Sequence, residues 1–347
     1  MNKAGPRTNS NKQRMTAGFG IARAAGVASV LALVALSGCE EAPSVLQPAG
    51  EEAEQIKNLA WILLGIAVFI FLVVETWLIT NIIRFSKPRD EKEVSQTHGD
   101  IRLELVYTII PVMIVIVIFV FTVQTMDSLQ APGSDMHIKV TGKQWWWEIE
   151  YPEAGVITAN EFYVPVETRT LAELHSSDVI HSFWMPEIGG KTDMVPGQTN
   201  QTMFTVTRPG RYLGQCSEFC GVQHAHMRFL MFAVSREEFS DWIAHQQQPA
   251  KEPTSEAARR GREEFVAAGC GGCHTIRGTE AAGRLGPDLT HLAGRETLAA
   301  YTLTNTTENL REWIADPQEV KPGNLMPDLD LEPERLEAIV TYLEGLE

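Results

Sequence analysis

Apolar and polar positions follow three regimes along this chain, and each predicts a different structure. Residues 59–85 and 101–126 are almost wholly apolar. Each stretch reaches the roughly 20 residues a helix needs to cross the hydrocarbon core of a bilayer. Together they predict a two-helix transmembrane hairpin over residues 59–127. Pro111 is tolerable in the second helix, because neighbouring helices and local adjustment absorb the missing donor. The connection carries Arg84, Lys87, Arg89, Lys92 and Arg102, whereas its acids Asp90, Glu91, Glu93 and Asp100 weigh little in topology. The connection is therefore expected on the cytoplasmic side and both flanks on the outer side.

From 137 to about 236 the apolar runs shorten and alternate. Residues 137–143, 145–151, 179–183, 203–206 and 227–234 are rich in β-branched and aromatic side chains, with Pro-Gly turns at 196–197 and 209–210. This pattern predicts strands packed as a Greek-key sandwich over residues 128–245. Residues 246–258 are polar, proline-bearing and without apolar period, and are expected to be a linker. A helical period then starts near Ala257 and opens an all-α domain over 259–347. Its last helix, 332–346, carries Leu336, Ile339, Val340 and Leu343 on one stripe, which is expected to pack on the helix near Ala257.

The N-terminus adds an export signal. Before Cys39 stand five basic residues and no acidic one, followed by an apolar run over 24–36 too short to span a bilayer. Leu36-Ser37-Gly38-Cys39 resembles a bacterial lipoprotein cleavage box, so residues 1–38 read as a signal peptide and Cys39 as the lipidated start of a segment reaching to residue 58. An ordinary signal with a chance cysteine is the alternative. Removing 1–38 leaves 24 basic against 44 acidic residues, a net charge of -20. A surface this acidic argues against nucleic acid and suits a basic protein partner.

The five cysteines all lie in short motifs, and none is left over for a structural disulfide. Cys216 and Cys220 stand in Cys-Ser-Glu-Phe-Cys-Gly-Val-Gln-His-Ala-His-Met with His224 and Met227, and His181 precedes them in Val-Ile-His-Ser-Phe-Trp-Met-Pro. Two thiolates, two imidazoles and a thioether are soft donors that match copper, and the second cysteine allows two coppers to be bridged. Zinc or a simple disulfide is the rival, although the spacing is not that of a zinc finger. His226 and His175 read as ordinary polar residues. Cys270, Cys273 and His274 form Cys-Gly-Gly-Cys-His, the attachment motif of a c-type haem with His274 as proximal ligand. A thioredoxin-like Cys-x-x-Cys would leave that histidine unexplained and expects a strand upstream. Met326, between turn residues, is the candidate sixth ligand, and His291 the alternative. In Trp145-Trp146-Trp147, alternation buries some rings and leaves at least one exposed as a docking surface or a girdle near the membrane. Glu75 and Glu104 lie in or at the rim of the spans, where a carboxylate faces protein, water or headgroups.

With these motifs in hand, the chain resembles subunit II of a bacterial haem–copper cytochrome c oxidase of the caa type, with a cytochrome c domain fused behind a copper domain. The resemblance spans essentially the whole mature chain. It implies a multi-domain protein: a transmembrane hairpin, a cupredoxin-like β-sandwich and a class I-like cytochrome c. It further implies a binuclear copper A centre held by His181, Cys216, Cys220, His224, Met227 and the backbone carbonyl of Glu218, whose side chain reaches a magnesium site shared with subunit I. Trp145 matches the family's electron-inlet residue, although Lys143 stands where relatives often carry histidine. Glu104, in Glu-Leu-Val-Tyr-Thr-Ile-Ile-Pro, matches a carboxylate at the mouth of a proton-uptake channel, and Asp193 lies in a segment that faces subunit I.

The implied function is electron transfer from the chain's own haem to the copper pair and on to subunit I, where oxygen is reduced to water and protons are pumped. Oxidase subunits I and III, the lipid bilayer, and a donor such as a soluble cytochrome c or the bc complex are the implied partners. The implied location is the bacterial cell membrane, with copper and haem domains on the periplasmic side. Three rivals fit less well. A quinol oxidase subunit II lacks the copper ligands, a free-standing membrane-tethered carrier has no need of a hairpin, and a copper chaperone or structural subunit leaves the haem unexplained.

Overall fold

A computed structural model of the chain describes residues 43–86, 99–129 and 133–347. The expected signal peptide, Cys39 and most of the charged connection between the apolar helices lie outside the described residues. The apolar runs form helices α1 (Glu51–Phe85) and α2 (Ile101–Leu129). Their side chains point outward, with Trp77 71% and Phe69 68% exposed, as a lipid-facing hairpin requires. Beyond their first turns, continuous helices satisfy their backbone donors internally, which hydrocarbon demands.

α1 starts about two turns before the apolar run, and the reason is packing. Its first turn docks on the outer domain: buried Glu52 accepts the backbone N–H of Thr205 at 2.9 Å, and the Ala53 N–H donates to Ile188 O at 3.1 Å. Just ahead, the Ala49 N–H donates to Glu187 O at 2.7 Å and Gly50 bridges Val206. Residues 49–53 therefore belong to the edge of the outer domain rather than to a free leader.

That domain holds ten strands: β1 (Met136–Lys143), β2 (Trp146–Tyr151), β3 (Val156–Ala159), β4 (Glu161–Pro165), β5 (Arg169–Ser176), β6 (His181–Trp184), β7 (Thr192–Met194), β8 (Asn200–Thr205), β9 (Gly210–Cys216) and β10 (Arg228–Val234). They make two five-stranded sheets in the orders β3-β2-β1-β5-β8 and β4-β10-β9-β6-β7. The β1–β5 and β4–β10 pairs are parallel and the rest antiparallel. Inward-facing Ile138, Val140, Leu174, Phe162, Phe229 and Met231 close one core between the sheets, the cupredoxin-like arrangement. Helix α3 (Arg236–Gln246) was not foreseen by the pattern. Ser235 and Glu238 cap it reciprocally, and its Trp242 stacks on Tyr163 with ring centres 4.6 Å apart.

The regular elements of the C-terminal region are helices, joined by turns and irregular loops, apart from a short ribbon of β11 (Thr297–Leu298) with β12 (Leu303–Thr304). Helix α4 (Glu256–Ala267) crosses the last helix, α7 (Pro333–Leu343), with α5 (Thr307–Ala315) and the short α6 (Pro317–Val320) beside them. The crossing is tight, since a Cβ on Gly261 would lie 1.9 Å from the Ala338 carbonyl oxygen. Phe265 meets Tyr342 edge-on, and the foreseen stripe of Leu336, Ile339, Val340 and Leu343 is buried. The polar segment before α4 does not run free. The Ala250 N–H donates to Arg277 O at 2.9 Å, the Gln246 carbonyl accepts from Arg277, and His291 Nε2 faces Gln248 O at 3.1 Å. Its first residues are thus held on the haem-motif domain.

Candidate metal centre and haem attachment site

Three elements bring the sulfur and imidazole donors together. β9 ends at Cys216, β6 starts at His181, and their antiparallel register sets Phe183 opposite Cys216. The loop after β9 carries Cys220, a single 3-10 turn holds His224, and Met227 immediately precedes β10. Cys216 Sγ lies 3.8 Å from Cys220 Sγ, 3.9 Å from His181 Nδ1 and 3.2 Å from the Glu218 carbonyl oxygen. Cys220 Sγ lies 3.6 Å from His224 Nδ1 and 3.8 Å from Met227 Sδ. All the donors named in the sequence thus surround the two thiols, and His181 and Met227 are fully buried.

The donor chemistry fits a copper-type site. Both cysteines are free, and 3.8 Å is far beyond the ~2 Å of a disulfide bond. A structural zinc takes four nitrogen or sulfur donors and has no use for a thioether or a carbonyl, whereas soft copper sites do. Contact with the Cys220 thiol draws the Cys216 thiol below its ordinary pKa, and the same contact together with burial pushes Cys220 up.

A second layer holds the imidazoles and the loop. Asp178 accepts from His181 Nε2 at 2.7 Å and from the backbone N–H groups of Gln144 and Val179, each at 2.7 Å. Burial works against a charged His181 ring, yet its hydrogen bonds to Asp178 and Cys216 together raise its pKa. Such a carboxylate–histidine pair fixes which ring nitrogen faces a metal. The Cys220 carbonyl accepts twice, from Gln144 Nε2 at 2.7 Å and from the Trp145 indole at 2.9 Å. His226 turns aside to Gln223 Oε1 at 2.8 Å, and His175 pairs with Glu173. Asp178 escaped the sequence reading, although it stands one turn before His181 in the same segment.

None of the three tryptophans is an exposed platform. Trp147 is fully buried in the sandwich core, Trp146 is half-buried beneath Lys143, and Trp145 is only 8% exposed. The expected open ring is absent because the C-terminal domain covers it. Lys321 Nζ donates to the Trp145 carbonyl at 2.8 Å, and a Cβ on Gly323 would lie 3.8 Å from the indole.

In the C-terminal domain, Gly269 at φ 78° ends the turn after α4 and starts the Cys270–Gly272 turn, so Cys270, Cys273 and His274 project from one short loop. His274 Nδ1 donates to the Pro287 carbonyl at 2.8 Å, which leaves the Nε2 lone pair for a ligand, and burial lowers the pKa of the ring. A Cβ on Gly286 would lie 2.5 Å from the ring, so only glycine lets this backbone approach the imidazole. A fixed imidazole beside two free thiols is the arrangement that a covalently bound haem needs. Met326 packs half-buried against this core, its N–H held by Asn324 Oδ1 at 2.7 Å. Both ring nitrogens of His291 face backbone carbonyls, those of Glu347 and Gln248. Glu104 sits in the first turn of α2, where the helix dipole favours a carboxylate, and Glu75 lies half-buried in α1.

Known proteins share this organisation. Three family descriptions match successive parts of the chain: "Cytochrome C oxidase subunit II, transmembrane domain" over 42–125, "Cytochrome C oxidase subunit II, periplasmic domain" over 155–234 and "Cytochrome c" over 258–347. The chain is 36% identical over 323 residues to cytochrome c oxidase subunit 2 of Alkalihalophilus pseudofirmus, covering 90% of this chain and 93% of that one. It is 32% identical over 334 residues to the protein of that name from Bacillus sp. (strain PS3), covering 90% of this chain and 94% of that one. Among solved structures, the periplasmic domain of subunit II of cytochrome oxidase of Bradyrhizobium japonicum is 35% identical, with a TM-score of 0.33, covering 33% of this chain and 96% of that one. The two spans and the periplasmic-domain match put the chain in the plasma membrane as a multi-pass protein, with both outer domains on the periplasmic side. The chain belongs to the cytochrome c oxidase subunit 2 family, with a cytochrome c domain fused behind its periplasmic domain, and functions within an oxidase complex.

Proposed function

We propose that this chain is the electron-inlet subunit of a haem–copper terminal oxidase, relaying electrons from a haem on its C-terminal domain through a copper pair towards subunit I. The observation that supports this most is the convergence of His181, Cys216, Cys220, His224 and Met227 on one buried point, with Trp145 between it and the haem domain. In this reading those five side chains and the Glu218 carbonyl hold two coppers, and Cys270, Cys273, His274 and Met326 hold the haem. When bound, the copper pair and the haem each supply a one-electron relay.

The chain's own residues hold the sites in place. Asp178 and the Pro287 carbonyl orient the ligating imidazoles, and Gln144 and Trp145 fasten the Cys220 loop. Groups held this way need little rearrangement when charge changes, which favours fast transfer. Trp145 joins the copper loop through its indole and the haem domain through its carbonyl, as an inlet residue must.

The remaining assignments belong to the same proposal. The Glu218 side chain is read as a link to magnesium at the subunit I interface, Glu104 as the mouth of a proton path, and Cys39 as the lipid anchor. Oxygen reduction and proton pumping fall to subunit I, since neither α1 nor α2 contains a histidine to bind a haem or copper. Subunit III and a donor such as a soluble cytochrome c or the bc complex complete the partners. The test is kinetic. In the purified oxidase, copper reduction after photoreduction of the haem should have a rate independent of enzyme concentration, because a fused donor is always present at high effective concentration. A rate rising in proportion to concentration would overturn delivery from the chain's own haem.

A further inference from the structure

Two buried ionisable side chains cross the contact between the haem domain and the copper domain. Lys321, 3% exposed, points its Nζ at three backbone carbonyls: Trp145 at 2.8 Å, His226 at 2.9 Å and Ala299 at 2.8 Å. The first two belong to the copper domain and the third to the haem domain. An ammonium has three donors, and here each finds an acceptor. Beside it, Gln223 Nε2 donates to the Pro322 carbonyl at 2.7 Å.

A carboxylate crosses the interface in the opposite direction. Glu161 of β4, 4% exposed, accepts the backbone N–H groups of Glu296 at 2.9 Å and Thr297 at 2.7 Å, and the Thr297 hydroxyl. Arg211 of β9 pairs with Glu296 at the rim. The loop that supplies the Ala299 carbonyl holds three successive non-glycine residues at positive φ, Ala299 at 51°, Ala300 at 60° and Tyr301 at 64°. The Arg228 N–H of the copper domain reaches the Ala300 carbonyl at 3.4 Å. Side-chain-bearing residues keep such a backbone only where the surroundings impose it.

Buried charges are costly unless fully hydrogen-bonded, and removing one partner leaves the other stranded. If the haem domain swung away on its linker, Lys321 would leave two of its three acceptors and Glu161 would leave every haem-domain donor. We propose that Lys321 is a positioning residue which, with Glu161 as its counterpart of opposite charge, pins the haem domain onto the copper domain and closes the Trp145 face to soluble donors. The domains then act as one docked body and the linker as a strap, so external electrons must arrive through the haem. Only this consequence rests on the electron-inlet reading. The pin itself rests on the contacts.

The test uses the full-length chain in the purified oxidase, with two readouts. By hydrogen–deuterium exchange, segments 295–301 and 321–326 should be protected in the wild type. In Lys321→Met they should exchange about tenfold faster or more, as expected for loss of a charge-assisted hydrogen bond. Glu161→Gln should act in the same direction, and it keeps the test decisive should Lys321→Met fail to assemble. Unchanged haem and copper absorption spectra identify a variant whose sites are intact. In flash photoreduction, the wild-type haem-to-copper rate should not change when glycerol raises the viscosity. In either variant it should slow and become viscosity-dependent, a change that a residue serving only fold stability would not produce. Rapid exchange in the wild type, or wild-type protection and viscosity independence in both variants, would overturn the pin. Protection that is lost in the variants, without any haem-to-copper transfer in the wild type, would support the pin and refute the electron-inlet reading.

Discussion

Around the sulfur cluster, the decisive partners of individual side chains are often backbone carbonyls. Cys220 O takes two donors, Pro287 O orients His274, and three carbonyls surround Lys321. This explains which residues could be read from sequence. Spacing announces cysteines, histidines and methionines that share a ligand role, so the donors around Cys216 and the Cys-Gly-Gly-Cys-His motif were legible. A lysine that meets carbonyls from residues 145, 226 and 299 carries no local signature, because only the fold gathers them. Met326 is the residue whose role is most open to a direct test. Replacing its thioether in Met326→Leu should lower the haem reduction potential by on the order of 100 mV, given that axial ligands move haem potentials over about 0.8 V. An unchanged potential in a redox titration would point to another sixth ligand. His291 is poorly suited to that role, with both ring nitrogens against carbonyls.

Among the elements, the apolar spans were the most legible and the strands the least. Hydropathy alone located α1 and α2, yet it missed the two turns of α1 that lie on the sandwich, because Glu51, Glu52 and Glu54 make that stretch polar. Several strands, including β4 and β5, escaped notice: β4 is a short Phe-Tyr-Val run flanked by buried Glu161 and by Pro165, and the inward face of β5 holds only Thr170, Ala172 and Leu174, so neither shows a strong apolar alternation. The signal for α3 was present as Ser235 three residues before Glu238, a capping box that strand-like surroundings obscured. In the haem domain, the α4–α7 crossing depends on one missing side chain. Gly261→Ala would push a Cβ against the Ala338 carbonyl and should destabilise this domain by about 1–3 kcal/mol, as overpacking does. Denaturant unfolding monitored by haem absorption would measure it, and unchanged stability would mean that the helices can part without cost.

At the scale of the whole molecule, the chain runs from membrane to copper domain to haem domain, while the proposed electron path runs the other way. The docked interface gives that reversal a physical basis. The last domain in sequence folds back so that residues 321–323 lie on Trp145, and the indole of Trp145 is hydrogen-bonded to the copper loop. The start of the segment expected to be a linker is tied down, through Gln246 O, Gln248 O and the Ala250 N–H, to Arg277 and His291 of the haem domain. The central claim is that one chain carries both a copper pair and a haem. It is tested most directly by visible and near-infrared absorption of the purified chain, combined with copper and iron counts. Two coppers and one iron per chain, with a c-type haem spectrum and a near-infrared copper band that Cys216→Ser abolishes, is the expected result. A c-type haem without a two-copper signal would contradict it.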